Sequence, residues 1–444
     1  MKRLYFGTDG IRGRAGQPPI NAEFAEKLGR AAAKVLAEGT KQPIFAIGRD
    51  TRESGPMLEE ALAAGITSAG GKVQLLGVLP TPGVAAMVKE DKLTAGAVIS
   101  ASHNPAADNG IKFFSGDGFK LPDQIELEIE QELENPKING RGSITRVTNA
   151  SARYVDHALR SMPHGFSLKG LKLAVDCAHG AAFQTTPDAL QRLHAEVSIF
   201  NDAPDGHNIN LNCGSTEAQE ISQLVKKTGA SAGLAHDGDA DRLLLCDETG
   251  SPLDGDELLA MAGLDLLRRG ELANQTIVAT VMSNLGLDEA IEKGGGHVVR
   301  TAVGDRYVLE AMRAGGHILG GEQSGHMIFA RHGTTGDGLV SALQIFRLMA
   351  ESGKPLSELR QVLQKYPQAQ RAVAVRIKSP LEELPTVAAA ISQAEEALAP
   401  RGRVLVRYSG TEPKLRILLE GRQPEILEEQ ADRIATAVKD VIGA

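Results

Sequence analysis

From Pro43 to Gly353 the chain keeps one rhythm, a short apolar run, an amphipathic stretch, then another apolar run. Pro43–Ile47, Lys72–Leu79 and Ala95–Ser100 read as strands, with helices over Leu58–Ala69 and Gly83–Lys89 between them. Leu171–Asp176 leads into a helix from about Phe183, and Thr276–Val281 into one from about Leu285. Two parallel strands cannot be joined by a tight turn, so each helix must cross over a sheet face. The expected class is α/β with mostly parallel sheets, and sites gather at strand C-terminal ends. The tail breaks the rhythm. Strands over Ala372–Ile377, Arg403–Tyr408 and Lys414–Glu420, with helices over Pro385–Ala399 and Pro424–Ile442, give the order β-α-β-β-α of a small α+β domain. The reading is three similar mixed α/β domains, 1–153, 154–254 and 255–368, and a smaller C-terminal α+β domain, 369–444. At roughly 150 residues per domain, 444 residues suit three domains, or four with one small.

Charge narrows the partners. The 48 Lys and Arg against 56 Asp and Glu leave a formal charge of −8, which argues against a general nucleic-acid or anionic-membrane binder. A small phosphorylated ligand needs only a local basic cluster. Cys177, Cys213 and Cys246 are far apart and form no CxxC pair, as in a reduced, cytoplasmic setting. Met1–Gly10 has no apolar core of a signal peptide, and nowhere do about 18 apolar residues run together. Oligomeric state is not written in these patterns.

Gly233-Leu234-Ala235-His236-Asp237-Gly238-Asp239-Ala240-Asp241-Arg242 is the sharpest local signal. Three carboxylates this close repel unless a cation sits between them, and oxygen ligands at this density suit a hard divalent ion. An EF-hand loop would put Glu248 at its twelfth position, but Arg242 stands where the turn glycine belongs. A solvated acidic turn between two strands competes on even terms.

Other loops are ambiguous singly. Ala97-Val98-Ile99-Ser100-Ala101-Ser102-His103-Asn104-Pro105 runs from a buried strand into a polar loop, and Asn109-Gly110 then reads as a turn into Ile111-Lys112-Phe113-Phe114. Ser102 beside His103 invites a hydrolase reading, but neighbours seldom face each other and no GxSxG elbow is present. Taken alone, the segment reads better as a plain Ser/Asn/Pro turn, with Lys112 snorkelling at an edge. Arg407-Tyr408-Ser409-Gly410-Thr411-Glu412-Pro413-Lys414-Leu415-Arg416 joins two strands with hydroxyls, backbone N–H groups and two guanidinium forks that suit a phosphate, or is a decorated hairpin. Phe6-Gly7-Thr8-Asp9-Gly10-Ile11-Arg12-Gly13 is a glycine-rich loop with Arg12 for a phosphate contact. Gly320-Gly321-Glu322-Gln323-Ser324-Gly325-His326, after a strand read over His317–Leu319, offers a carboxylate, a hydroxyl and an imidazole to sugar hydroxyls.

Together and in this order, these five loops resemble the α-D-phosphohexomutase family over nearly the whole chain. Gly304-Asp305-Arg306-Tyr307-Val308 and Gln323 make it most similar to the members acting on amino sugars; relatives acting on neutral hexoses more often carry Met at the position of Gln323. The resemblance implies four domains around a central cleft and an isomerase on the route to UDP-N-acetylglucosamine. It implies a phosphoserine at Ser102, Mg²⁺ held by Ser102, Asp237, Asp239 and Asp241, and sugar contacts from Glu322 and Ser324. Arg407, Ser409, Gly410, Thr411 and Arg416 would hold the non-reacting phosphate of a phosphorylated amino sugar. Lys112 is the first candidate for proton transfer and His326 the second. A neutral-hexose mutase, a Mg²⁺-dependent binding protein without turnover, and more distantly a Ser102–His103 hydrolase stay open as alternatives.

Overall fold

The computed structural model describes residues 3–135, 140–409 and 412–444. They fall into two compact units. One runs through Ser283 and resumes over Ile291–Val362; the other comprises Asn284–Ala290 and Leu363–Ala444.

The larger unit holds three mixed sheets. The first has the spatial order Ile11–Arg14, Asp108–Ser115, Ala95–Ile99, Ile44–Arg49, Lys72–Val78, Ile144–Arg146. The second runs Pro252–Leu253, Leu243–Asp247, Ala232–His236, Lys172–Asp176, Glu196–Phe200, and the third His297–Thr301, Thr276–Thr280, Leu319–Gly321, Met327–Phe329. All three share one plan. A run of parallel strands ends in an antiparallel hairpin: Ala95–Ile99 with Asp108–Ser115, Ala232–His236 with Leu243–Asp247, and Leu319–Gly321 with Met327–Phe329. Ala95–Ile99, Ala232–His236 and Thr276–Thr280 are buried at every position. They read as unbroken apolar runs because both sheet faces are covered. The loops that close the three hairpins carry, in turn, Ser102, the aspartates and the Glu322–His326 motif.

Local chemistry fixes how the third of these loops sits. The Asp254 carboxylate caps the helix Gly255–Arg268 by accepting from the Glu257 N–H, and Glu257 reaches back to the Asp254 N–H, a capping box. This seats the first turn against the Glu322–His326 motif, where the Gly255 N–H donates to the Gln323 carbonyl at 3.0 Å.

The smaller unit is an antiparallel sheet in the order Gln368–Ala374, Lys414–Glu420, Arg403–Tyr408. Helices Pro385–Leu398 and Pro424–Ile442 bury Val387, Leu427, Ile434 and Val438 in one cluster with Val373, Leu415, Ile417 and Leu419. It too has a hairpin, Arg403–Tyr408 to Lys414–Glu420, and that loop is the phosphate candidate. No helix among the described residues is long and apolar enough to cross a membrane.

Three local expectations change. Asn109-Gly110 is not a turn but lies inside the strand Asp108–Ser115; glycine is needed there because a Cβ would stand 2.6 Å from the carbonyl of Ser100, just past one flanking strand, and 2.8 Å from that of Ile11 on the other. Gly320 and Gly321 likewise belong to the strand Leu319–Gly321, which starts two residues later than His317. The first strand of the tail is Gln368–Ala374, earlier than Ala372–Ile377, because its partner Lys414–Glu420 pairs Gln368 with Glu420 and ends at Ala374 with Lys414.

Candidate active site

Ser102 follows the strand Ala95–Ile99 in a left-handed conformation, φ 52°, and is buried. That backbone is uncommon for a residue with a side chain, costs free energy, and persists only where its surroundings impose it. The hydroxyl donates to Asp237 Oδ2 at 2.5 Å. Asp237, Asp239 and Asp241 are all buried, and one oxygen of each lies within 4.8 Å of the others. Asp239 Oδ2 accepts from Thr81 Oγ1 at 2.6 Å and from Lys112 Nζ at 2.7 Å. Asp239 Oδ1 and Asp241 Oδ1 are buried without a hydrogen-bond partner. Burial, then Asp241 and Asp239, pushes the Asp237 carboxyl well up. Bare, converging carboxylate oxygens and one carboxyl that resists ionisation describe a site that fits a divalent cation.

Lys112 is almost wholly buried on the strand Asp108–Ser115. Burial pushes its ammonium down, but Asp239, Asp9 at 3.7 Å and Asp241 at 3.5 Å outweigh that and hold its proton well above the ordinary lysine value. His326 is buried, bridges Arg242 in the backbone, and lies 3.9 Å from Asp241 and 3.6 Å from Asp305; neither ring nitrogen has a hydrogen-bond partner. Arg12 pairs with Asp9 and reaches the Ala101 carbonyl at 3.5 Å. Glu322 accepts from the Gly304 N–H at 3.2 Å, and burial pushes its carboxyl up. Ser324 is exposed at the turn tip.

His103 departs from expectation. Its Nδ1 lies 3.3 Å from Ser102 Oγ, because the left-handed turn at Ser102 swings the next side chain round. It does not make a hydrolase pair. The serine proton is directed to Asp237, and burial, with Arg242 and Arg12 nearby, pushes the imidazole down to about 4.

In the smaller unit Arg407 and Arg416 stand opposite each other in the strand register. Arg416 pairs with Glu412 at 2.8 Å, and burial, then Arg416, lowers the Arg407 value. Ser409 is buried, with its carbonyl accepting from Lys378 Nζ at 2.6 Å. Gly410 and Thr411 lie outside the described residues.

Sequence reading missed a layer of supporting groups. Thr81 orders Asp239. Lys120 joins Asp9, at 2.5 Å, to Asp305; burial pushes Lys120 down, but those two carboxylates raise it to about 12. Arg52, wholly buried, spans the serine loop. The available signal was position: Arg52 and Thr81 both follow parallel strands, at the C-terminal ends Arg49 and Val78.

The cation fit carries a direct prediction. An ion that binds the folded triad and not the unfolded chain stabilises by about 2.7 kcal/mol at a hundred times its Kd. Adding Mg²⁺ or Mn²⁺ to chelator-treated protein should therefore raise the unfolding midpoint by a few degrees in differential scanning fluorimetry, reversed by EDTA. A midpoint indifferent to both ions counts against the site.

Family models described as phosphoglucomutase/phosphomannomutase α/β/α domains I, II and III match residues 3–139, 152–250 and 254–366, and the C-terminal domain model matches 371–437. A phosphoglucosamine mutase of Syntrophotalea carbinolica is 49% identical over 451 residues, covering 100% of this chain and 99% of that protein. One from an Anaeromyxobacter species is 50% identical, covering 100% and 97%. A phosphoglucomutase/phosphomannomutase family structure from Burkholderia thailandensis superposes with TM-score 0.82 at 24% identity, covering 98% and 97%. Aspergillus fumigatus N-acetylphosphoglucosamine mutase, solved with GlcNAc-6P and magnesium, superposes with TM-score 0.70 at 19% identity, covering 99% and 96%.

Proposed function

The chain belongs to the phosphoglucomutase/phosphomannomutase family, and on that premise we propose that it is a phosphoglucosamine mutase, an isomerase interconverting glucosamine 6-phosphate and glucosamine 1-phosphate. The observation that carries the chemistry is the Ser102 hydroxyl, bonded at 2.5 Å to one of three converging buried carboxylates. The choice of an amino sugar rests on full-length relatives near 50% identity that carry that name.

Ser102, as phosphoserine, gives its phosphoryl group to O1 of glucosamine 6-phosphate. The 1,6-bisphosphate so formed returns its 6-phosphoryl group to Ser102 after turning round, leaving glucosamine 1-phosphate. When bound by Asp237, Asp239 and Asp241, Mg²⁺ supplies charge neutralisation at the phosphoryl oxygens. The chain's own residues do the rest. Asp237 Oδ2 holds the Ser102 hydroxyl proton and aims the oxygen. Lys112, ion-paired with Asp239 and close to Asp9 and Asp241, turns a positive charge toward the phosphoryl group. Proton removal from the attacking sugar hydroxyl then falls to His326, whose ring nitrogens are bare in a buried pocket. That order reverses the first expectation for the two residues. Glu322 and Ser324 read sugar hydroxyls. Arg407, Ser409 and Arg416 hold the distal phosphate, with Gly410 and Thr411 completing that loop, and Arg12 meets a phosphate from the N-terminal loop.

Turnover of glucosamine, glucose and mannose 6-phosphates tests the reading. We expect kcat/KM for the amino sugar to exceed the others by at least about 100-fold, the scale on which sites that pair with one substituent reject analogues lacking it. Preference for glucose or mannose would make the protein a neutral-hexose mutase. No turnover, with no phosphoryl group on Ser102 by intact mass, would leave only a binding protein.

A further inference from the structure

The Ser102 hydroxyl stands on a backbone that is gripped by two segments. Arg52, from the turn after the strand Ile44–Arg49, is wholly buried, and its charge is met by Asp50 Oδ2 at 2.8 Å. Its fork donates to the Ser102 and Asn104 carbonyls, each at 2.9 Å, to the Asp108 carbonyl at 3.0 Å and to that of Pro105. From a separate segment Asn210 Nδ2 donates to the same two carbonyls, Ser102 at 2.9 Å and Asn104 at 3.1 Å. The Ser102 N–H is fixed separately, on Ser100 Oγ at 2.9 Å, and that hydroxyl in turn donates to Asp50 at 2.6 Å. The two gripping segments are joined to each other: the Glu53 N–H donates to the Gly206 carbonyl at 3.0 Å. The aspartate loop closes on the same carbonyl through Gly238, where a Cβ would lie 2.6 Å from Ser102 O.

We propose that Arg52 and Asn210 are positioning residues, a two-residue clamp that holds the peptide plane following Ser102 and so fixes its Oγ against the aspartate loop. Neither touches Oγ. The left-handed turn would relax if its carbonyl were free to rotate, and that rotation would carry Oγ out of line. Transfer between two oxygens depends steeply on alignment: a misplacement of about 1 Å costs on the order of 100-fold. The inference deepens the proposed function, since it rests on Ser102 being the phosphoryl carrier.

The test uses Arg52→Lys, which keeps the charge but loses the fork, and Asn210→Ala, which removes one donor from each carbonyl. We expect kcat to fall about 100-fold and about 10-fold respectively, with KM and the Mn²⁺ Kd each within threefold of the parent. The unfolding midpoint of Asn210→Ala should stay within a few degrees. Amide hydrogen exchange in residues 100–108 should quicken in both, an effect that does not depend on turnover. Unchanged kcat in a folded variant, unchanged exchange across 100–108, or equal losses in kcat, KM and metal affinity would each overturn the clamp. If Arg52→Lys does not fold, Asn210→Ala decides alone. A parent protein that turns over no phosphosugar sinks the mutase reading instead, and the exchange measurement then still decides whether the clamp exists.

Discussion

Ser102→Ala is expected to abolish phosphosugar interconversion, lowering kcat/KM by at least about 10⁴-fold. No other described hydroxyl is bonded to Asp237 through its side chain, and water offers no route that keeps the phosphoryl group on the protein. The fold should survive. Ala occupies the same left-handed backbone at about the same cost, and the loop keeps its bonds from Arg52, Asn210 and Ser100. What is lost is one hydrogen bond to a buried carboxyl, about 1–3 kcal/mol. The assay is therefore turnover alongside thermal unfolding and intact mass. A folded variant that turns over at close to the parent rate would remove Ser102 from the mechanism.

Asp239→Asn should be nearly as damaging, for a different reason. The Asp239 carboxylate is the direct partner of Lys112 and Thr81, and Lys112 holds it ionised well below the usual carboxylate range although burial opposes this. A carboxyl held low in the fold lends stability above its unfolded value near 4, and gives it up only as pH falls further. At neutral pH the pair is thus fully in force, and breaking it leaves a buried ammonium short of its closest anion, a loss of about 3 kcal/mol or more. Repulsion from Asp9 is relieved at the same time, but it is the smaller effect, since Asp239 is held low in spite of it. We expect turnover to fall about 10³-fold and the metal-free unfolding midpoint to drop. The stabilisation by Mn²⁺ should disappear, so that midpoints with and without the ion coincide. An unchanged metal titration would move the cation elsewhere.

The sequence showed the plan of the fold because strands covered on both faces leave unbroken apolar runs, as at Ala95–Ile99 and Ala232–His236. It marked the aspartates as a local cluster, because charge concentrated in a few adjacent residues leaves a pattern, but Ser102 stood out only through the order of all five loops, since its own segment reads better as a turn. It misplaced Asn109-Gly110 because a glycine demanded by two neighbouring strands looks, in one dimension, like a glycine demanded by a turn. The supporting groups were hidden for a related reason. Arg52 lies 50 positions from the serine whose carbonyl it holds, and Thr81 lies 158 positions from its aspartate. Nothing at Arg52 itself distinguishes a guanidinium that wraps a distant loop from one that points into water. His103 was misjudged because the sign of φ at Ser102 decides whether consecutive side chains diverge or meet, and composition does not report that sign.

Lys120 sits between Asp9 and Asp305, one on the N-terminal loop and the other more than 180 positions further along, beside the sugar motif. A single ammonium thus discharges two carboxylates encoded far apart. Recombination between distant relatives that exchanged only the first third of the gene, bringing in a neutral residue at this place, would leave an acid stranded in the interior of the hybrid. The two stretches are coupled by that ammonium, so a hybrid keeps its interior charge balanced only if both move together or the charge is repaired within one of them.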